Sequence, residues 1–174
     1  YFLLPQKSYL ACPEMTIDPE KTYMVTIKTE KGDVVLELYP KQAPWAVNSF
    51  VFLARQGWFD DVPFHRVLPG FVAQGGDPSG SGMGGPGYQF DNENAEAVFD
   101  RAGLVAMANS GANTNGSQFF ITYDAAPDLN GGYTIFGEVL EGMEVVESLT
   151  ARDPASGTEL PEADRIISIK ITEK

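Results

Sequence analysis

The stretch 23–39 constrains the fold more than any other part of the chain. Val25, Ile27 and Thr29 alternate with Thr26 and Lys28, Lys31-Gly32-Asp33 turns the chain, and Val34, Leu36 and Leu38 alternate with Val35, Glu37 and Tyr39. Successive strand side chains point to opposite faces, so two such runs about a glycine turn predict a β-hairpin with one buried face. The period then changes. Val47, Phe50, Val51 and Ala54 fall at helical spacing within 43–56, Pro44 suits a first helical position, and Gly57 suits a C-terminal cap. Beyond Pro63 the chain is rich in glycine, and 64–68, 71–74, 104–108, 119–122 and 134–139 are each of strand length with turn signals between them. Residues 143–149 read as a short second helix. Residues 165–172 read as a last strand with Ile167, Ile169 and Ile171 facing one way. About eight strands with two helices make a mainly β fold, a barrel or sandwich with helices at its ends.

Length and charge narrow the chemistry. A chain of 174 residues suits one domain, expected over 21–174 with an N-terminal arm over 1–20. A formal charge of −12 argues against holding nucleic acid or anionic lipid by bulk electrostatics. No apolar run approaches the ~18 residues of a spanning helix, so no membrane insertion is expected. The single cysteine, Cys12, excludes an internal disulfide and cysteine metal clusters, and the single histidine, His65, excludes multi-histidine sites. No metal and no cofactor is expected. The chain starts at Tyr1 rather than Met, as a trimmed precursor would. The apolar run 1–4 is too short for a signal-peptide core. Leu10-Ala11-Cys12 faintly resembles a lipid-attachment site, but the polar residues before it favour an arm on the domain, with Cys12 a small apolar residue. A monomer is the default, and the compartment stays open between cytoplasm and export, with a slight lean to the cytoplasm.

Several motifs mislead. Gly80-Ser81-Gly82-Met83-Gly84-Gly85 matches G-x-G-x-x-G, but Asp77-Pro78 precedes it and Pro86-Gly87 follows, so no helix N-terminus is on hand for a phosphate. It reads as a surface loop. Asn115-Gly116-Ser117 matches a glycosylation acceptor too short to mean much, and Asp60, Asp61, Glu93 and Glu96 read as a solvated acidic surface. No G-x-S-x-G elbow is present, and His65, between Phe64 and Arg66, reads as a structural residue hydrogen-bonded beneath a site. Any reaction here must then rely on positioning and hydrogen bonds.

Two segments carry a resemblance. Phe64-His65-Arg66-Val67-Leu68-Pro69-Gly70-Phe71-Val72-Ala73-Gln74-Gly75-Gly76-Asp77 resembles the first signature of the cyclophilins, the cyclosporin-binding peptidyl-prolyl cis-trans isomerases. Met107-Ala108-Asn109-Ser110-Gly111, continuing through Gln118-Phe119-Phe120-Ile121, resembles the second, and Phe136-Gly137-Glu138-Val139 follows in order. The likeness runs from about Tyr23 to the C-terminus. It implies a closed eight-stranded antiparallel barrel capped by two α-helices, acting on proline-containing polypeptides and assisting their folding.

Rotation about an X–Pro bond meets a barrier of ~18–20 kcal/mol set by amide resonance. Arg66 suits it: a permanently charged guanidinium aimed at the prolyl nitrogen stabilises the lone pair that appears only as the amide twists. The resemblance implies that Gln74 orients this guanidinium. It implies that Gln118 contacts the substrate backbone, and that Asn109 holds the substrate through its main chain while its amide follows the moving carbonyl oxygen. By the same resemblance Ala108 would permit close approach, and Phe71, Val72, Phe120 and Leu129 would form the slot for the proline ring; taken singly, each of those four reads rather as barrel core. Val72 stands where methionine is usual. Tyr133 replaces a common histidine at the rim, as in some bacterial members, so a bacterial origin is expected. Asp128 stands where many relatives carry a tryptophan linked to cyclosporin, so weak cyclosporin binding is expected. The alternative to an enzyme is a catalytically silent module that binds proline segments in the same groove; Arg66 retained beside Gln74 and Phe120 favours the enzyme.

Overall fold

A computed structural model describes residues 8–174; the run 1–4 and the first part of the expected arm lie outside the described residues. The hairpin forms from β1 (Tyr23–Thr29) and β2 (Gly32–Leu38), with Val25 opposite Leu36 and Ile27 opposite Val34, all four buried. The helix α1 (Pro44–Arg55) follows, with Val47, Phe50, Val51 and Ala54 buried as the periodicity requires. Short strands come next: β3 (Val62–Pro63), β4 (Arg66–Leu68), β5 (Val72–Gly75), β6 (Leu104–Met107) and β7 (Phe119–Thr122). A 3-10 turn (Pro127–Leu129), β8 (Ile135–Glu141), α2 (Met143–Glu147) and β9 (Arg165–Glu173) complete the chain.

One antiparallel sheet holds all nine strands in the order β3-β9-β1-β2-β8-β6-β7-β5-β4. The first and last strands of that order are consecutive in sequence. Segment 62–68 pairs with β9 through its first half and with β5 through its second, so the sheet comes round on itself. The expected eight strands become nine because Phe64 and His65 interrupt this one segment. Phe50 of α1 seals one end of the barrel, its ring centroid 5.0 Å from Phe59, 5.5 Å from Phe119 and 5.4 Å from Phe136.

The last strand departs from expectation. Its pairing with β1 shifts between Lys28, opposite Ser168, and Thr29, opposite Ile166. Ile167 falls in the resulting bulge and is exposed, while Ile166 takes the inside position at 0% exposure. A bulge adds one residue and so reverses the face on which its neighbours lie.

Candidate active site

The sheet has two faces, and alternation assigns them. Val67, Ala73, Val105, Phe119 and Ile121 point into the barrel core. The residues between them, Val72, Leu104, Ala106 and Phe120, point outward into a second apolar cluster with Phe99 and Ile135. Pairing lines up one row on this outer face: Arg66 opposite Gln74, Gln74 opposite Phe120, Phe120 opposite Ala106. The expected catalytic pair and the expected slot thus lie side by side outside the barrel. Val72 and Phe120 are its buried floor, and Phe71, Ala108, Leu129 and Tyr133 are its partly exposed margin. The ring of Tyr133 stands edge-on to Phe120 at 5.6 Å, and Phe99 stacks on Phe120 at 5.9 Å. For Val72 and Phe120, the reading as plain barrel core is therefore set aside.

A chain of hydrogen bonds runs along the row. Arg66 Nη1 donates to Gln74 Oε1 at 3.3 Å, and Gln74 Nε2 donates to Gln118 Oε1 at 3.0 Å. Gln118 Nε2 donates in turn to the carbonyls of Gly82 and Gly84, at 2.9 and 3.0 Å. The Gln118 amide nitrogen is thereby occupied by protein, while its oxygen keeps a second lone pair for another donor. Gly76 makes this arrangement compact. Its φ is +93°, and a Cβ there would run into the carbonyl oxygen of Ser117, whose Oγ donates to the Gly76 carbonyl at 2.7 Å. That close approach brings Gln118 beside Gln74.

Asp77, which sequence reasoning passed over, organises the glycine-rich loop. Its carboxylate is wholly buried and accepts from the N–H and Oγ of Ser79 at 2.8 and 2.7 Å, from Gly82 N at 2.8 Å and from Gly84 N at 3.0 Å. Burial pushes its pKa up, but the hydrogen bonds from the Ser79 side chain and from the amides of Gly84, Ser79 and Gly82 outweigh this and hold it below the usual carboxylate value. The only sequence signal was an Asp-Pro pair ahead of a glycine-serine run. The G-x-G-x-x-G match is loop, as expected, and it borders an open cavity of about 740 Å³ whose other side includes Gln74, Ala108, Asn109 and Gln118.

Two expectations change. His65 is buried at 2% exposure, but its Nδ1 has no hydrogen-bond partner among the described residues, so it is not the hydrogen-bonded support expected. It is held by packing, beneath Gly82, where burial lowers its pKa despite nearby Asp77. Glu93 is not a solvated acid. Ala43 gives α1 no side-chain cap, and Glu93 supplies one from 47 residues away, its oxygens accepting from Ala46 N at 2.9 Å and Trp45 N at 3.1 Å. Burial raises its pKa, against the pull of those two amides. The Asn109 side chain is tethered beside the groove, its Nδ2 donating to the Gly132 carbonyl at 2.9 Å and its Oδ1 accepting from Gly111 N at 3.2 Å, which leaves one Nδ2 hydrogen and one Oδ1 lone pair uncommitted by those two bonds. Asn115 and Ser117 are buried, which removes the glycosylation reading.

An open groove with a cation beside an apolar slot, and no activated nucleophile among the described residues, fits a class of protein that works on what it binds by non-covalent means. Comparison with known proteins gives the particular family. The pattern of the cyclophilin-type peptidyl-prolyl cis-trans isomerases matches residues 24–171. A peptidyl-prolyl cis-trans isomerase of Arabidopsis thaliana is 47% identical over 72% of this chain and 79% of its own. Peptidyl-prolyl cis-trans isomerase A of Mycobacterium tuberculosis is 42% identical over 92% of this chain and 97% of its own. A Cryptosporidium parvum cyclophilin-type isomerase, crystallised in the presence of the dipeptide Ala-Pro, superposes with a TM-score of 0.78 at 39% identity, covering 86% of this chain and 98% of its own. The chain belongs to the cyclophilin-type peptidyl-prolyl cis-trans isomerases and is an enzyme of that class. These relatives support the enzyme over the silent binding module. Among the described residues, no helix is long and apolar enough to cross a membrane.

Proposed function

We propose that Arg66 is the catalytic residue and that the slot over Phe120 grips the proline ring of exposed X–Pro segments. The supporting observation is the single outer row in which Arg66 adjoins Gln74 and Gln74 adjoins Phe120. With the ring anchored over Val72 and Phe120, rotation moves the part of the chain that precedes proline. The bond that the guanidinium donates to Gln74 reduces its rotamers, and it faces the prolyl nitrogen as the lone pair there localises. Resonance is absent only in the twisted amide, so this attraction lowers the barrier and leaves the ground states little changed. The main-chain N–H of Asn109 and the free lone pair of Gln118 Oε1 hold the substrate backbone. No covalent step is needed.

Polypeptides with accessible proline are the substrates, cyclosporin binds weakly because Asp128 offers no apolar wall, and the chain works as a monomer. The test is a protease-coupled isomerisation assay on an Ala-Pro peptide. Arg66→Ala is expected to lose two or more orders of magnitude in kcat/KM, about 3 kcal/mol of transition-state stabilisation, with its unfolding midpoint nearly unchanged because Arg66 is partly exposed. Equal activity in the two proteins overturns the assignment.

A further inference from the structure

We propose that residues 8–17 form a strap that holds the outer wall of the 740 Å³ cavity, and so set how tightly the enzyme binds the residues flanking an X–Pro pair; this rests on the reading of the groove above. The strap precedes the family's matched span of 24–171.

Two anchors fix it. Asn48 of α1 is buried and reads the strap's backbone at one end, its Oδ1 accepting from Thr16 N at 2.9 Å and Ile17 N at 3.3 Å and its Nδ2 donating to the Glu14 carbonyl at 3.0 Å. At the other end Tyr9 N donates to the Pro86 carbonyl at 2.8 Å. The Tyr9 ring lies among Phe52, Trp58 and Tyr88, with centroids at 5.2, 6.0 and 6.5 Å. Contact at the wall is close enough to dictate a residue. Gly87 has φ +93°, and a Cβ there would meet Ser8 Oγ at 2.7 Å and the Tyr9 backbone still nearer.

The wall needs such a hold. It is tied at its start by Asp77 to Gly82 and Gly84, and at its end by the bridge between Phe90 and Asn115. Between those ties, Pro86, Gly87 and Tyr88 line the cavity and are held by Tyr9 and by the bond between Ser49 and the Tyr88 hydroxyl. The cavity adjoins the slot through Gln74, Ala108 and Gln118, so a peptide longer than the X–Pro pair reaches it. Displacing the wall changes that contact and leaves Arg66 untouched.

The experiment compares two substrates by exchange NMR: a blocked Ala-Pro dipeptide and the same pair extended by several residues on both sides. In Tyr9→Ala, KM for the extended peptide is expected to rise about five-fold, the size of a partly buried aromatic contact. Its kcat should stay within about two-fold and the dipeptide should be turned over as by the native chain. Tyr9→Phe, which keeps the ring, and Leu10→Ser, at a fully exposed position, should match the native protein. Backbone order parameters at Gly87 and Tyr88 should fall in Tyr9→Ala with β1 and β2 unchanged, and Phe52→Ala should reproduce the KM shift. Unchanged KM for the extended peptide, a parallel loss on both substrates, or unaltered order parameters at Gly87 overturns the strap. If the native chain turns over neither peptide, the isomerase reading fails separately, and the strap is then judged by dissociation constants, which Tyr9→Ala must weaken for the extended peptide alone.

Discussion

Asp77→Asn isolates the role of the buried loop carboxylate from that of the Arg66 guanidinium. The native side chain accepts two bonds from Ser79 on Oδ1 and two backbone bonds, from Gly82 and Gly84, on Oδ2. Asparagine keeps one acceptor oxygen and turns an NH₂ toward the other two donors. Two bonds to a charged acceptor at ~1.5–3 kcal/mol each bound the loss at roughly 6 kcal/mol, and the exposure of Gly82 lets water recover part of it, so a cost of ~2–4 kcal/mol is expected in urea unfolding. The loss should depend on pH. Because the folded pKa is depressed, the carboxylate's contribution is fully present above the unfolded value of ~4 and is lost as pH falls through the folded value. The gap between native and variant proteins should therefore be constant from about pH 6 to 8 and close below about pH 4. Activity should fall less than in Arg66→Ala, by about ten-fold in kcat/KM, through loosening of the Gly82 and Gly84 carbonyls that hold Gln118. A variant as stable as the native protein at pH 7, or a gap that persists unchanged at pH 3, refutes the reasoning.

Two further outcomes follow from the same geometry. Glu93→Ala removes the borrowed cap of α1 and should cost ~1–2 kcal/mol, read as a lower Tm with isomerase activity retained at assay temperature. Asp128→Trp places an apolar wall on the exposed 3-10 turn beside Leu129; titration should show cyclosporin affinity tightened at least about ten-fold, equivalent to ~1.4 kcal/mol, with little change in kcat/KM.

Much of the fold was readable because it is periodic. The alternation in β1 and β2 and the helical spacing of Val47, Phe50, Val51 and Ala54 each report a buried face directly. Arg66 and Gln74 were paired through the resemblance alone, and the structure sets them opposite each other across the turn at Pro69-Gly70. What was missed depends on partners far along the chain or on irregular backbone. Glu93 acts on a helix 47 residues earlier in sequence. The Asp77 loop has no period to read, since its order comes from amides gathered on one carboxylate. Ile167 was misplaced because a bulge leaves no mark in composition. The face to which Phe120 belongs was not legible from periodicity, since Phe119, Phe120 and Ile121 are all apolar and all buried, and only the resemblance put it in the slot.

The seam at 62–68 bears on how such an enzyme handles its clients. At Val67 one edge of this segment is taken by β5 and Arg152 occupies the other, exchanging backbone bonds of 2.8 and 2.9 Å with Val67 while its guanidinium donates to the His65 carbonyl at 2.7 Å. Unfolded chains are adhesive at any bare rim of a sheet, where their own backbone can zip on as an extra strand. Beside Arg66 that rim is stapled shut, so an extended polypeptide can be gripped by its proline, turned and let go.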